Sequence, residues 1–208
     1  MELVLPSSAY LAGHVAALER GWSADSSREA AAAQEELTRI QEDAGAFVQG
    51  LVDREAQGRP VTLPDGSIVP RIPGYRRWLW DGEFCGSIGF RWRPGTTELP
   101  PYCLGHIGYS VVPWKRRLGY ATQALRLMLV EARAEGLPFV EITTDPENTA
   151  SQRVIMANGG VLFEHFVKPP QFASAPGLRF RIAFNGDARG SGWAGALNGS
   201  TRSARCPF

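Results

Sequence analysis

The sequence lacks the features that mark membrane proteins, disulfide-rich proteins and metal proteins. No apolar run approaches the roughly 18 residues of a spanning helix, and the first residues lack the basic and apolar regions of a signal peptide. The three cysteines show no C-x-x-C spacing, and the three histidines are scattered along the chain. These absences predict a metal-free protein of the reducing cytoplasm, with no membrane partner.

A charge excess and the common nucleotide motifs are also absent. The 22 basic and 21 acidic residues leave a formal net charge of +1, so no overall field attracts nucleic acid. Basic and aromatic residues do alternate at 76–80 and 91–93, but the hairpin periodicity there favours tryptophans on the faces of a sheet over a nucleic-acid surface. The patterns G-x-x-x-x-G-K-[ST] and G-x-G-x-x-G do not occur, which argues against nucleotide hydrolysis and dinucleotide binding.

Hydrophobic periodicity predicts one α/β domain over residues 1–184, with the element order β-α-α-β-β-β-α-β-α-β-β. Ser26-x-x-Glu29 resembles a capping box, and the apolar positions after it predict one helix that continues to Leu51. Residues 57–74 are predicted as a loop with a short hairpin, and 77–92 as a hairpin around Asp81-Gly82. Residues 185–208 are rich in Gly, Ser, Ala and Arg, which predicts a disordered tail.

The most informative segment is the turn before the helix that opens at about Ala121. A strand from His106 to Val112 leads into this turn, which contains Gly119. Free backbone N–H groups and the positive end of the dipole make a helix start an anion site, and glycine lets the backbone approach a phosphate without a Cβ. Lys115 and the two arginines after it add positive charge. The pattern predicts a pyrophosphate site, although glycine before a helix is common.

Two motifs in this region resemble those of one family. Arg116-x-x-Gly119-x-Ala121 is similar to the Q/R-x-x-G-x-G/A motif of the GNAT superfamily of N-acetyltransferases. Asn148-x-x-Ser151, followed by a glycine pair, resembles the family segment that binds the distal part of coenzyme A. The resemblance covers about residues 75–184. It implies the GNAT fold, a mixed central sheet of about seven strands flanked by about four helices.

The resemblance also implies an enzyme with acetyl-CoA as co-substrate, which acetylates a primary amine by direct attack in a ternary complex. The backbone of Val111 and Val112 would pair with the pantetheine arm, and the N–H of Val112 would polarise the thioester carbonyl. Asn148 and Ser151 would hold the arm through side-chain hydrogen bonds, although Asn148 also suits a helix N-cap. The residues expected at the pyrophosphate are Arg116, Arg117, Leu118, Gly119, Tyr120, Ala121 and Thr122.

The catalytic base is predicted to be His106, at a strand position near which relatives often carry a glutamate. A neutral imidazole facing the acceptor could take the proton directly or through a water molecule. A structural role for His106 stays open, and the alternative bases are Glu98, Glu141 and Asp145. The tyrosine that relatives use as general acid, seven residues after Asn148, is replaced by Ile155, so the acid is unassigned.

The acceptor is not specified by the sequence beyond a small-molecule or peptide amine. Aromatic and acidic residues in the expected acceptor region are compatible with an amine flanked by apolar groups; they are Trp22, Tyr75, Trp92, Glu98 and Tyr102. A homodimer is left open. The alternative function is a GNAT-fold protein that binds an acyl-CoA without turnover, as a sensor or interaction module.

Overall fold

The structure is a computed structural model that describes residues 1–25 and 28–184. Ser26 of the predicted capping box and the predicted tail 185–208 lie outside this part. The elements are β1 (Glu2–Val4), α1 (Ser8–Glu19), α2 (Glu29–Glu42), α3 (Ala44–Gln49), β2 (Val52–Asp53), β3 (Val61–Thr62), β4 (Ile68–Val69), β5 (Gly74–Trp80), β6 (Phe84–Arg91), β7 (Ile107–Val111), α4 (Tyr120–Ala134), β8 (Phe139–Thr144), α5 (Thr149–Met156), β9 (Val161–Val167) and β10 (Pro176–Ala183).

The predicted α/β class and the hairpin around Asp81-Gly82 are confirmed, but the strands divide into separate sheets. One sheet has the order β1-β5-β6-β7, with β2 also paired to β5, and a second has the order β8-β10-β9. The short strands β3 and β4 form the hairpin expected in the 57–74 segment. The described residues contain ten strands and five α-helices, against the predicted seven and four. The added strands are the two-residue β2, β3 and β4, and the added helix comes from a break at Asp43.

The two larger sheets meet at His106. Its backbone N–H donates to the Glu141 carbonyl at 2.7 Å. Gly105 makes this approach possible, since a Cβ there would lie 3.0 Å from the Glu141 carbonyl oxygen. Beyond this point β7 and β8 belong to different sheets, so the backbone edges of the two strands are available where they separate.

The single helix predicted from Ser26 to Leu51 is two helices. Asp43 has extended backbone angles (φ −158°, ψ 96°), and its side chain accepts the Ala46 N–H at 2.8 Å, which caps α3. An aspartate that bonds locally to the backbone competes with helix continuation. The apolar periodicity runs through the break because residues on both sides, such as Leu37 and Phe47, pack in the same cluster.

Helices cover the first sheet on both faces. Leu125, Met128 and Ala132 of α4 pack in one buried cluster with Ile88 of the first sheet and Ile142 of the second. On the opposite face, α1, α2 and α3 pack on Trp78, Phe84 and Val112. The point where β7 and β8 separate and the turn before α4 both lie at an edge of these packed layers.

Candidate active site

The turn at Gly119 has the geometry of an anion cradle. Gly119 is the N-cap of α4 in a left-handed conformation (φ 75°, ψ 3°). Among the described residues other than its chain neighbours, no heavy atom lies within 4 Å of a Cβ placed there. The Gln123 N–H donates to the Gly119 carbonyl at 3.0 Å. The amides of Tyr120, Ala121 and Thr122 precede that donor, in the first turn, where backbone N–H groups lack an intrahelical partner. An open turn with these donors suits a phosphate group.

The basic side chains beside the cradle are directed to different partners. Lys115 donates to both oxygens of Asp81 at 3.1 Å, so its charge is committed to an ion pair. Arg116 donates from Nε to the Val111 carbonyl at 3.3 Å. Arg117 has a left-handed backbone (φ 64°). Sequence reasoning missed the Lys115 pair because Asp81 lies on a distant hairpin turn.

The thioester donor predicted at Val112 does not fit the geometry. The Val112 N–H donates to the Cys85 carbonyl at 3.0 Å, and the side chain is fully buried. The β6–β7 ladder thus continues one residue past the end of β7. Because donors alternate between the two sides of an antiparallel strand, Val111 directs its N–H away from β6. Val111, which was predicted to bind the pantetheine arm, has the better-placed donor.

The His106 ring is buried at the junction of the sheets, so the expectation that it faces the acceptor is wrong. The ring is 1% exposed, and its Nδ1 accepts the Glu141 N–H at 3.0 Å. In the neutral ring the proton therefore resides on Nε2. Within the described residues, Nε2 makes no bond of good hydrogen-bond geometry. Burial lowers the pKa of His106, while Glu141 and the Thr97 backbone act in the opposite direction.

Two of the three alternative bases are occupied by cations. Glu141 accepts from Arg181 at 2.7 Å and from Arg179 at 3.4 Å. Asp145 pairs with Lys168, and Glu98 is exposed. The contacts with two arginines occupy the Glu141 carboxylate, so this geometry disfavours Glu141 as the base.

The second motif lies at the start of α5. The Asn148 side chain accepts the Ser151 N–H at 3.0 Å, which is the N-cap that the sequence left open. Asn158, at the other end of α5, donates to the Thr122 carbonyl at 3.2 Å. This bond joins the glycine pair's segment to the first turn of α4, so the fold brings the two motifs together.

A tyrosine from β7 reaches α5, the helix on which the expected tyrosine is missing. Tyr109 OH lies 3.0 Å from Ser151 Oγ, and burial raises the pKa of Tyr109 to about 12. Ile155 is fully buried in the core and does not substitute for a hydroxyl. The only sequence signal for Tyr109 is its place on the strand, which does not reveal that it meets Ser151.

The described ranges, 1–25 and 28–184, contain no cluster of three or more His, Cys, Asp or Glu side chains that could hold a metal ion. In the same ranges, each helix is too short or too polar to cross a membrane.

A glycine-containing helix start beside two separating strands gives this α/β protein a site suited to an anionic ligand. The sequence profile of the acetyltransferase (GNAT) domain matches residues 36–161. The chain belongs to the GNAT acetyltransferase family.

Solved structures with the same fold differ widely in sequence. A Bordetella pertussis protein assigned to the GNAT family is 18% identical with a TM-score of 0.52, covering 87% of this chain and 94% of its own. The microcin C7 self-immunity acetyltransferase MccE, solved with acetyl-CoA and AMP, is 13% identical with a TM-score of 0.53 (88% and 91% covered). RimL, a ribosomal L7/L12 α-N-protein acetyltransferase solved with coenzyme A, is 14% identical with a TM-score of 0.54 (87% and 92% covered). No curated protein gives a significant match.

Proposed function

We propose that this protein transfers an acetyl group from acetyl-CoA to a primary amine by direct attack in a ternary complex. The observation that carries the proposal is the open Gly119 cradle at the start of α4, close to the point where β7 and β8 separate. Membership of an acetyltransferase family supports acetyl-CoA as the co-substrate. The pyrophosphate binds the amides of residues 118–122, and Val111 pairs with the pantetheine arm.

Near α5, the hydrogen bonds of Asn148 and Ser151 indicate how each could hold the pantetheine arm. The Asn148 carbonyl oxygen caps the helix, which leaves its amide N–H groups for the arm. The Ser151 hydroxyl is shared with Tyr109. We therefore propose that Asn148 binds the pantetheine arm. Ser151 also binds the arm, and in addition it orients the Tyr109 hydroxyl.

In the proposed reaction, the amine nitrogen forms a bond to the thioester carbon and the carbon–sulfur bond then breaks. The Val111 N–H donates to the carbonyl oxygen as negative charge develops on it, and one such donor is worth about 10²–10³ in rate. The ammonium proton passes to a water molecule. Tyr109 donates its hydroxyl proton to the departing thiolate and regains a proton through Ser151 or solvent. The products are the acetamide and free coenzyme A.

Of the two predicted roles of His106, direct proton uptake and uptake through a water molecule, we propose the second. Its Nδ1 lone pair is used by the Glu141 N–H, so direct proton uptake would compete with that bond. The remaining Nε2–H is a buried donor without a partner among the described residues, so His106 would act through a water molecule that enters the junction and bonds to this N–H. The lowered pKa keeps the ring neutral at physiological pH.

Initial-rate kinetics with acetyl-CoA and a panel of amines, peptide N-termini included, test the proposal. A ternary complex gives intersecting double-reciprocal lines, whereas a covalent acetyl-enzyme gives parallel lines. Isothermal titration with acetyl-CoA, combined with these kinetics, distinguishes the enzyme from the alternative, a sensor. A sensor binds acetyl-CoA but acetylates none of the amines. Absence of both binding and turnover would contradict both functions.

A further inference from the structure

The turn between β5 and β6 carries an aspartate that contacts the segment before α4. Asp81 accepts from Tyr120 OH at 2.6 Å and from Lys115 Nζ at 3.1 Å. The Asp81 and Lys115 side chains are only 15% and 18% exposed. The bond from Tyr120 is the first of several that lower the pKa of Asp81. The carboxylate is therefore charged and saturated with donors.

The two partners of Asp81 stand at opposite ends of the candidate pyrophosphate loop. Lys115 closes the short helical turn before the loop, and Tyr120 is the first residue of α4. Between them, Arg117 and Gly119 both have left-handed backbones, with φ of 64° and 75°. A left-handed non-glycine residue is strained and persists only when its surroundings hold it. One carboxylate thus fixes both ends of a four-residue loop that contains strain.

We propose that Asp81 is a positioning residue for the pyrophosphate loop, which it holds in the binding conformation by anchoring Lys115 and Tyr120. Asp81 does not touch the coenzyme; it acts through the loop amides. The inference rests on the proposed acetyl-CoA binding at Gly119. Preorganisation of this kind strengthens binding by removing the cost of ordering the loop.

An electrostatic effect of Lys115 competes with preorganisation of the loop, and the test must distinguish the two. Without Asp81, Lys115 keeps Glu83 as an ion-pair partner at 2.9 Å, but its ammonium could turn towards a phosphate, which would strengthen binding of coenzyme A. Preorganisation predicts the opposite sign. Asp81→Asn is suitable because the amide oxygen can still accept the Glu83 N–H that stabilises the turn, while the negative charge is lost.

Isothermal titration of coenzyme A into Asp81→Asn should show about tenfold weaker binding. With acetyl-pantetheine, which lacks the pyrophosphate, the KM should stay within about twofold of the wild-type value. Tyr120→Phe should weaken coenzyme A binding in the same direction but less, since the Lys115 contact remains. The matched control is Asp65→Asn, an aspartate that bonds within the remote β3–β4 turn and should leave coenzyme A binding unchanged.

Wild-type or tighter coenzyme A binding by Asp81→Asn would overturn the proposal. So would an equal loss with acetyl-CoA and acetyl-pantetheine, which indicates general damage to the fold. If the wild-type protein itself does not bind coenzyme A, the proposed function fails first, so the two failures are distinguishable.

Discussion

His106 forms hydrogen bonds with both backbone groups of Glu141, its neighbour across the sheet junction. Its backbone N–H reaches the Glu141 carbonyl, and its Nδ1 receives the Glu141 N–H. The side chain therefore occupies the place of a backbone acceptor where the strands begin to separate. Loss of the ring would leave a buried N–H unpaired, at a cost of about 1–3 kcal/mol.

We expect His106→Asn and His106→Ala to separate the junction role from proton handling. Asparagine can accept the Glu141 N–H through its side-chain oxygen, so its melting temperature should approach that of the wild type, whereas alanine should be less stable. Both variants should lower kcat by about 10²-fold or more, with acetyl-CoA binding nearly intact. A stable His106→Asn enzyme that keeps most of its kcat would remove the proton role.

The pH dependence of stability gives a further check on His106. Burial lowers its pKa in the folded state, so the unfolded chain binds the proton more readily as pH falls. The stabilisation from the neutral ring is therefore present above the ordinary pKa of about 6.5 and is lost below it. Thermal melts between pH 5 and 8 should show a decline that His106→Asn reduces. An identical decline in both proteins would show that other groups cause it.

Tyr109→Phe tests the proposed general acid. The hydroxyl should remain protonated at neutral pH because burial raises its pKa to about 12, and its loss should lower kcat by about 10²-fold. Acetyl-CoA affinity should change little. With a thioester whose thiol has a much lower pKa, the thiolate leaves without a proton donor. Such a substrate should therefore reduce the difference in kcat between Tyr109→Phe and the wild type. An undiminished kcat for Tyr109→Phe with acetyl-CoA would exclude this acid.

At the scale of elements, α4 offers a controlled test of the anion cradle. Gly119 and Gly136 lie at the two ends of this helix with nearly equal φ of 75° and 80°, and both have open space at Cβ. Glutamate should therefore cost similar backbone strain at either position. Only Gly119→Glu puts a negative side chain at the pyrophosphate, so its acetyl-CoA affinity should fall at least tenfold, about 1.4 kcal/mol.

Calorimetry on the two folded glutamate variants decides this prediction. Gly136→Glu should bind acetyl-CoA as the wild type does. If Gly119→Glu binds equally well, the cradle assignment is incorrect. If both variants lose affinity, strain in α4 rather than contact with the phosphate explains the loss.

At the scale of the whole molecule, we predict that residues 185–208 are dispensable for stability. The segment contains five glycines and three serines, with Trp193, Leu197 and Phe208 as its large apolar residues, too few to offset the entropy cost of ordering it. Truncation after Phe184 should change the melting temperature by no more than about two degrees. A larger decrease, or a change in oligomeric state by light scattering, would show that the segment packs.

Local patterns were enough to predict much of the fold. The Asp81-Gly82 turn predicted a hairpin because its chemistry acts within a few residues. The strand Phe139–Thr144 and the buried face of α4 followed from periods of two and 3.6 residues. The Gly119 motif was recognisable for the same reason, since a helix start and its glycine are neighbours in sequence.

Tertiary structure decided the features that depend on contacts between distant segments. The hydrogen-bond partners of His106 and Val112, at Glu141 and Cys85, could not be predicted because strand pairing sets them. Asp81 reaches Lys115 and Tyr120 only because the β5–β6 turn folds onto the start of α4. The sequence by itself indicated the family through its motifs and an anion-suited turn at Gly119 through local chemistry, whereas packing determined which donors and acceptors remain free there.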